Sequence, residues 1–206
     1  MNEKTYQINE VFYSLQGEGA RAGTANLFVR FSGCNLTCRR ESEGFDCDTE
    51  FTSGVKMTAA GLLAECRTHL PDSVKSVGVI FTGGEPTLQL DDALCAAFHE
   101  AGFRPLCIET NGTNEVPRGI DWISVSPKTA EHTLRVGRTV HELRYVRRAG
   151  MGIPRPTLQA GQLFISPAFT ADGGIDADDL AWCIEMVKEQ PHWRLSVQQH
   201  KGWRVR

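Results

Sequence analysis

The chain has 206 residues, of which 41% are apolar, and a formal net charge of −3 at pH 7. This length fits a single domain over residues 1–206, which would bury roughly 70% of the surface of the unfolded chain. The slightly acidic balance excludes a general electrostatic attraction to nucleic acid or to an anionic membrane. An odd number of cysteines, a polar start and the lack of a membrane-length apolar run argue against a disulfide framework, a signal peptide and a membrane anchor. We therefore expect a cytoplasmic protein.

Short runs of β-branched and aromatic residues predict strands, and apolar residues spaced by three and four predict helices. The predicted strands cover residues 26–31, 76–81, 105–109, 122–125, 142–146, 163–165 and 194–198. The predicted helices cover residues 57–70, with Thr58 as N-cap, 90–101, closed by Gly102, and 177–189. The chain is thus an alternation of strands and helices.

This alternation favours a mostly parallel sheet, because parallel neighbours need a crossover connection. A complete eight-unit β/α barrel has about 250 residues, and this chain is shorter. We therefore expect an α/β fold of the partial, open, TIM-like barrel type. Cys34, the 82–85 run, Asn111 and the 126–128 run each follow a predicted strand, so we expect them to line one cavity at the carboxyl edge of the sheet.

Three cysteines lie in one predicted loop at residues 33–50, namely Cys34, Cys38 and Cys47. Thiolates are the soft ligands of zinc and of iron–sulfur clusters, and a short loop closes at little entropic cost. A structural zinc site takes four protein ligands, whereas three leave one position open for water, a substrate or a chelating cofactor. The spacing predicts a metal centre. The other four cysteines fall in apolar patterns and are predicted to be core thiols: Cys66, Cys95, Cys107 and Cys183.

Several motifs follow the predicted strands in a fixed order. They are the cysteine loop, Gly-Gly-Glu-Pro at 83–86, Glu-Thr-Asn-Gly at 109–112 and Ser-Pro-Lys at 126–128. Together they resemble the radical S-adenosylmethionine enzymes. Four further segments resemble 7-carboxy-7-deazaguanine synthases within that superfamily: Phe-Tyr-Ser-Leu-Gln-Gly-Glu-Gly at 12–19, Phe-Val-Arg-Phe at 28–31, Cys-Asp-Thr at 47–49 and Leu-Ser-Val-Gln-Gln-His-Lys at 195–201.

One departure from the superfamily pattern concerns the cysteine loop. Eight residues separate Cys38 from Cys47, where the superfamily usually has two. An enlarged loop is known in the synthase family, and Asp48-Thr49 still follows the last cysteine. All three cysteines are therefore kept as ligands.

The resemblance implies a [4Fe–4S] cluster on Cys34, Cys38 and Cys47, with S-adenosylmethionine chelating the fourth iron. Reductive cleavage of that cofactor gives methionine and a 5′-deoxyadenosyl radical. Glycines permit close backbone approach to the methionine part, and Glu85 is expected to meet its ammonium group. The residues implied in cofactor binding are Asp46, Cys47, Asp48, Gly83, Gly84, Glu85, Ser126, Pro127, Lys128, Ser166, Pro167, Ala168 and Phe169. Among the last four, only Pro167 matches the family's usual Gln-Pro-Met-Asp.

The family converts 6-carboxy-5,6,7,8-tetrahydropterin to 7-carboxy-7-deazaguanine with loss of ammonia, in 7-deazapurine (queuosine) biosynthesis. The residues implied in substrate binding are Leu15, Gln16, Gly17, Arg30, Thr82 and the terminal carboxylate of Arg206. Arg30 is expected to pair bidentately with the substrate carboxylate, as lysine cannot.

Magnesium is also implied, with Thr49 as ligand and Asp48 on a bound water. No side chain is assigned as a strong acid or base, although Glu18 or Glu109 is expected to assist proton movement. The implied partners are a reductase such as flavodoxin or ferredoxin and a second copy of the chain in a homodimer.

Two other functions stay open from the residues. A glycyl-radical activase would share the cluster loop and the Gly-Gly-Glu-Pro run but would need no site for a pterin carboxylate. A zinc-binding module without catalysis would use the same cysteines. Arg30 read alone is also consistent with an edge-strand charge, and Thr49 with a turn cap.

Overall fold

The computed structural model describes residues 3–39, 47, 49–170 and 174–205. Within these ranges the chain forms one sheet of nine strands flanked by helices. The strands β1 to β9 are Thr5–Leu15, Ala25–Phe31, Val55–Thr58, Gly78–Gly83, Leu106–Thr110, Trp122–Val125, Val140–Arg147, Ala160–Pro167 and Trp193–Leu195. The helices α1 to α4 are Ala59–Thr68, Asp92–Glu100, Ala177–Glu189 and Gln199–Trp203.

The sheet has the strand order β3-β1-β2-β4-β5-β6-β7-β8-β9. β1 runs antiparallel to β2 and β3, and every later pair, from β2·β4 to β8·β9, is parallel. Among the described strands β3 and β9 are the two edges, so the sheet stays open. The predicted open α/β barrel with mostly parallel strands is confirmed. The carboxyl ends of its parallel strands meet at one edge, where such folds bind ligands.

The connections explain how 206 residues suffice for this sheet. The segments 111–121, 126–139 and 148–159, which join β5 to β8, contain no α-helix. A crossover without a full helix saves about one helix of length in each unit. The prediction of regular strand–helix alternation therefore holds for the first part of the sheet and for α3, and not for the middle.

The two faces of the sheet carry different side chains, since alternate residues of a strand point to opposite sides. Leu27, Val29 and Phe31 of β2 belong to the main apolar cluster, which the helices cover. Phe28, between them, belongs to a smaller cluster on the other face and stacks on Phe12 with ring centroids 4.9 Å apart. This second face also lines the cavity described below.

The four cysteines outside the loop are buried, as predicted: Cys66, Cys95, Cys107 and Cys183. Burial raises the pKa of each thiol to about 12, which keeps it protonated and unreactive at neutral pH. The predicted N-cap is also confirmed, because the Thr58 side chain accepts a hydrogen bond from the Gly61 N–H at 3.1 Å.

Four elements differ from the sequence prediction. β3 and the short helix α4 were not predicted, and β3 contains Met57 and Thr58, which the prediction placed in the first helix. The long strand β1 was not predicted, because a register shift between Ile8 and Glu10 breaks its alternation. The predicted strand at 194–198 is wrong beyond Leu195. There the Ser196 N–H makes one more bond, to the Ile165 carbonyl, and the chain then turns into α4. None of the helices in the described ranges is long and apolar enough to span a membrane.

Candidate active site

A cavity of about 1200 Å³ opens at the carboxyl edge of the parallel strands. It exceeds the roughly 300–1,000 Å³ typical of sites for one small molecule, so it has room for a cofactor beside a substrate. The predicted site residues that line it are Leu15, Gln16, Gly17, Glu18, Arg30, Cys34, Cys38, Cys47, Thr49, Thr82, Gly83, Gly84, Glu109, Ser126, Lys128, Ser166, Ala168 and Phe169. The predictions for Asp46, Asp48 and Arg206 fall outside the described residues.

The cysteine loop leaves β2 and is held to the neighbouring strand β4 through backbone bonds. The Glu85 N–H donates to the Gly33 carbonyl at 2.9 Å. Gly84 passes so close that a Cβ there would lie 2.1 Å from the Gly33 oxygen and 2.9 Å from the Cys34 Cβ. Only glycine fits this approach, which explains the Gly84 of the Gly-Gly-Glu-Pro run in physical terms.

The three loop thiols line the same cavity, with Cys34 and Cys38 half-buried and Cys47 exposed. Within the described residues, no three His, Cys, Asp or Glu side chains come together closely enough to hold a single metal ion. A four-iron cluster takes each thiolate on a different iron, and three thiols lining one cavity can supply three such ligands. The donor set and the cradle beside Gly84 suit an iron–sulfur cluster.

A polar clasp that the sequence reading missed fixes the first half of this loop. Asn35, between the first two cysteines, accepts from the Asn111 Nδ2 at 3.0 Å and donates to the Thr113 Oγ1 at 2.8 Å. Thr113 in turn donates to the Asn111 Oδ1 at 2.7 Å. The clasp joins the cysteine loop to the turn after β5, which is the Glu-Thr-Asn-Gly motif.

Glu85 is buried away from the cavity. Its Oε1 accepts from the Thr87 N–H at 3.1 Å and the Thr110 Oγ1 at 2.7 Å, and its Oε2 accepts from the Asn111 N–H at 2.7 Å. In this arrangement the side chain ties β4 to the turn after β5 and so supports the clasp. The expected contact with an ammonium group stays a prediction, while the Gly83 and Gly84 backbone does line the cavity.

The segment after Cys47 is organised by Glu50. Its carboxylate accepts from the Thr52 N–H at 2.7 Å, from the Ser53 N–H at 2.9 Å and from the Asn9 side chain of β1 at 2.7 Å. The Ser53 and Thr52 hydroxyls also donate to this carboxylate, each at 2.6 Å, and they are the main cause of a pKa of Glu50 well below its usual range, to which the Ser53 N–H and Asn9 add. Thr49, the predicted magnesium ligand, lies next to this anchored carboxylate on the cavity wall.

Arg30 and Thr82 are register partners on β2 and β4, and both line the cavity. The Arg30 Nε donates to the Glu10 Oε1 at 2.8 Å, which fixes the plane of the guanidinium. A ligand carboxylate arriving at this point meets an oriented cation on a strand rather than a mobile surface charge.

A buried charge cluster, which we call the carboxylate cluster, consists of Glu18, Glu109, Glu142 and Arg144. The Arg144 guanidinium contacts the Glu109 carboxylate directly and lies 3.1 Å from Glu18 and 3.8 Å from Glu142. Glu109 also accepts from the Gln16 Nε2 at 2.8 Å. Glu18, Glu109, Gln16 and Arg144 line the cavity.

One guanidinium cannot neutralise three carboxylates, and this imbalance shifts the acid–base behaviour of the cluster. Burial raises the pKa of Glu109 to about 8; Arg144 opposes that shift, and the charges of Glu142 and Glu18 add to it. Glu109 therefore holds its proton to higher pH than an exposed glutamate does. The surrounding carboxylates raise the pKa of Arg144, which stays a cation.

The end of the chain closes one side of the cavity. The Gln199 N–H of α4 donates to the Gly17 carbonyl at 3.0 Å, and His200 and Lys201 line the cavity. The Lys201 ammonium lies 3.9 Å from the centre of the Phe169 ring, a cation–π contact that joins α4 to the segment after β8. The Lys128 ammonium, which also lines the cavity, donates to the Ser126 Oγ at 2.7 Å.

Among the described residues, three that were predicted to belong to the site do not line the cavity: Glu85, Pro127 and Pro167. The lining residues that sequence reasoning left without a role include Glu10, Glu50, Arg144, Arg148, Asp179, Gln198 and His200. For most of them no local motif exists. Gln198 and His200 could have been predicted, because they belong to the 195–201 segment that resembles the synthase family.

Comparisons with known proteins agree with this geometry. A family profile described as a 4Fe-4S single cluster domain matches residues 15–115. The QueE crystal structure from Escherichia coli superposes with a TM-score of 0.66 over 94% of each chain, at 24% sequence identity, and shows the same fold. The fold and the site thus define an iron–sulfur enzyme on an open β/α barrel of the radical S-adenosylmethionine type.

Two curated relatives are similar over nearly their whole length. The 7-carboxy-7-deazaguanine synthase of Bacteroides thetaiotaomicron is 41% identical over 95% of this chain and 96% of its own. The enzyme of the same name from Bradyrhizobium diazoefficiens is 40% identical over 98% of this chain and all of its own. The chain belongs to the 7-carboxy-7-deazaguanine synthase family.

Proposed function

We propose that the chain converts 6-carboxy-5,6,7,8-tetrahydropterin to 7-carboxy-7-deazaguanine and ammonia. The observation that carries the proposal is the joint lining of one cavity by the three loop thiols and by Gln16, Arg30 and Glu109. An activase would need the thiols but not an oriented arginine and buried carboxylates facing a small heterocycle.

In this proposal Cys34, Cys38 and Cys47 hold a [4Fe–4S] cluster, and the backbone of Gly83 and Gly84 and the side chains of Ser126, Lys128, Ser166 and Phe169 hold S-adenosylmethionine. When bound, the two cofactors supply removal of a hydrogen atom from the substrate. The protein's own part is to orient the pterin and to exclude water.

The substrate carboxylate would bind Arg30, whose plane Glu10 already fixes. The heterocycle would lie between Gln16, Thr82 and the carboxylate cluster, where Glu18 and Glu109 accept hydrogen bonds from ring N–H groups. Glu109 can release or take up a proton near neutral pH, as the loss of ammonia requires. Magnesium on Thr49, a reductase, a homodimer and a cytoplasmic location stay predictions.

The test is anaerobic turnover of the carboxypterin by the reconstituted protein with dithionite and S-adenosylmethionine, followed by mass spectrometry of the product. We expect 7-carboxy-7-deazaguanine and one ammonia per turnover. Arg30→Lys should raise KM by on the order of tenfold, because a point charge replaces a bidentate fork, while the exposed Arg155→Gln should leave KM unchanged. Lack of product from a brown, iron-loaded protein would contradict the proposal.

A further inference from the structure

The proposed reaction assigns no task to two members of the carboxylate cluster, Arg144 and Glu142. Arg144 lies on β7, its side chain is 7% exposed, and its guanidinium nitrogens lie within 4 Å of three carboxylates. A buried arginine whose guanidinium is surrounded by three protein carboxylates is poorly placed to bind a ligand anion. Its task must lie in what it does to those carboxylates.

Glu142 anchors this arginine from behind. Its side chain is 1% exposed and does not line the cavity. One oxygen accepts from the Ser124 Oγ at 2.9 Å and the other from the Ala20 N–H at 2.8 Å. Both oxygens are thus fixed by uncharged donors, so Glu142 is a rigidly held carboxylate behind Arg144.

The turn that carries Glu18 is built onto the same anchor. Gly19 has φ +65°, and a Cβ on it would lie 2.3 Å from the Glu142 Oε1. Its N–H donates to the Ser196 Oγ at 3.0 Å, so the turn is also tied to the end of β9. The position next to Glu18 therefore has to be glycine, and the backbone delivers Glu18 to Arg144.

The contacts of Arg144 with its two cavity-facing partners differ. Glu109 is hydrogen-bonded to one guanidinium nitrogen. Toward Glu18 the Nη1 is 3.1 Å away but makes no aligned hydrogen bond within the described residues. The Glu18 carboxylate can therefore tilt toward a ligand without leaving the field of the cation, while Glu109 stays fixed.

We infer that Arg144, backed by Glu142, is a positioning residue: it holds the Glu18 and Glu109 carboxylates side by side on the cavity wall, so that together they bind the N–H edge of the substrate's aminopyrimidinone ring. Without the cation between them, the repulsion between these two acids would be unopposed, and Glu109 would hold its proton to still higher pH. The inference rests on the proposed function, because it takes its ligand from it.

The test separates the charge of Arg144 from its shape, using Arg144→Gln, Arg144→Lys and the exposed Arg155→Gln as control. Lysine keeps the cation but cannot bridge two carboxylates, so we expect KM for the carboxypterin to rise on the order of tenfold with kcat retained. Glutamine removes the cation, so we expect the acid limb of kcat/KM to move to higher pH by about one unit or more. The control should change neither.

Infrared difference spectroscopy supplies a readout that needs no turnover, by following the carboxylate band of the protein against pH. Arg144→Gln should move the midpoint of the cluster's titration upward, relative to wild type and Arg155→Gln. An unmoved midpoint, or a fall in kcat/KM by the same factor at every pH, would overturn the inference and leave Arg144 a structural residue. If Arg144→Gln does not fold, the KM of Arg144→Lys decides, since an unchanged KM overturns the inference. Absence of turnover in wild type overturns the proposed function instead.

Discussion

The cavity has two sides that are built in different ways: the cysteine side, with Cys34, Cys38 and Cys47, and the carboxylate cluster. On the cysteine side the ligands come from one loop, are half-buried or exposed, and within the described residues do not form a site for a single ion. The carboxylate cluster takes its members from the turn after β1 and from β5 and β7, and all are largely buried and in contact. Folding alone thus assembles the carboxylate cluster, whereas in the proposed function the cysteine side is completed by its iron–sulfur cluster.

The largest effect should come from a side chain added at Gly84, where the segment after β4 passes close to the cysteine loop. Gly84→Ala would put a Cβ 2.1 Å from the Gly33 oxygen, so the loop must move and the cluster should fail to assemble. We expect iron per chain near zero after reconstitution, measured with the visible charge-transfer absorbance.

The matched control for this prediction is Gly152→Ala, since a Cβ there meets nothing within 4 Å. That variant should bind iron like wild type. Normal iron content in Gly84→Ala would mean that the loop does not depend on this approach.

Glu109→Gln should leave the cysteine side intact and damage the substrate side. We expect full iron content and a loss of kcat/KM on the order of 100-fold, because the group that accepts a bond and moves a proton is replaced by an amide. The exposed Glu189→Gln is the control. Loss of iron in Glu109→Gln would show that the two sides are not separable.

The same residue predicts a pH dependence of stability. Since the pKa of Glu109 is raised from 4.5 to about 8, the folded protein holds a proton in this interval that the unfolded chain has released. The free energy of unfolding therefore gains a component that falls as pH rises through this window, by roughly 1 kcal/mol per pH unit. Denaturant unfolding of the ligand-free protein should show this slope in wild type and a smaller one in Glu109→Gln.

A smaller effect should follow from loss of the clasp, which joins the cysteine loop to the turn after β5. Asn111→Ala removes the bond to Asn35, and we expect iron release to a chelator to accelerate several-fold at unchanged iron stoichiometry. The double variant with Asn35→Ala should add little, because both changes disrupt the same clasp. Additive rates would argue against the clasp.

The smallest effect should come from the cation–π contact between Lys201 of α4 and Phe169. Phe169→Leu keeps an apolar side chain but removes the ring under the Lys201 ammonium, so we expect a loss of about 0.5–1 kcal/mol in the free energy of unfolding. Iron content should not change. The measurement is denaturant unfolding at low and high salt. An equal midpoint in both proteins would show that the contact does not stabilise the fold.

The sequence predicted those parts of the fold and site that local patterns encode. Strands such as 122–125, the Thr58 cap and the core thiols follow from spacing and composition, and the cysteine side from one loop motif. β1 was missed because its bulge breaks the alternation.

Other parts could not be predicted because they depend on contacts between distant segments. Arg144 lies 35 positions from Glu109, and the Ala20–Glu142 bond joins residues 122 positions apart. A local sequence pattern cannot predict a carboxylate whose hydrogen-bond partners come into place only after the sheet has formed. Likewise Glu85, assigned to a ligand from its motif, has its oxygens bonded within the fold, which only the packing of β4 against β5 determines.

If the three loop thiols hold the cluster on which the proposed reaction depends, Cys47→Ala and Cys66→Ala should differ sharply in iron content and product. Both remove one sulfur, but Cys47 is exposed on the cavity and Cys66 is buried in the core. After anaerobic reconstitution, we expect Cys66→Ala to hold about four irons per chain and to form product, and Cys47→Ala to lose both. Undiminished iron and product in Cys47→Ala would contradict the ligand set and the function built on it.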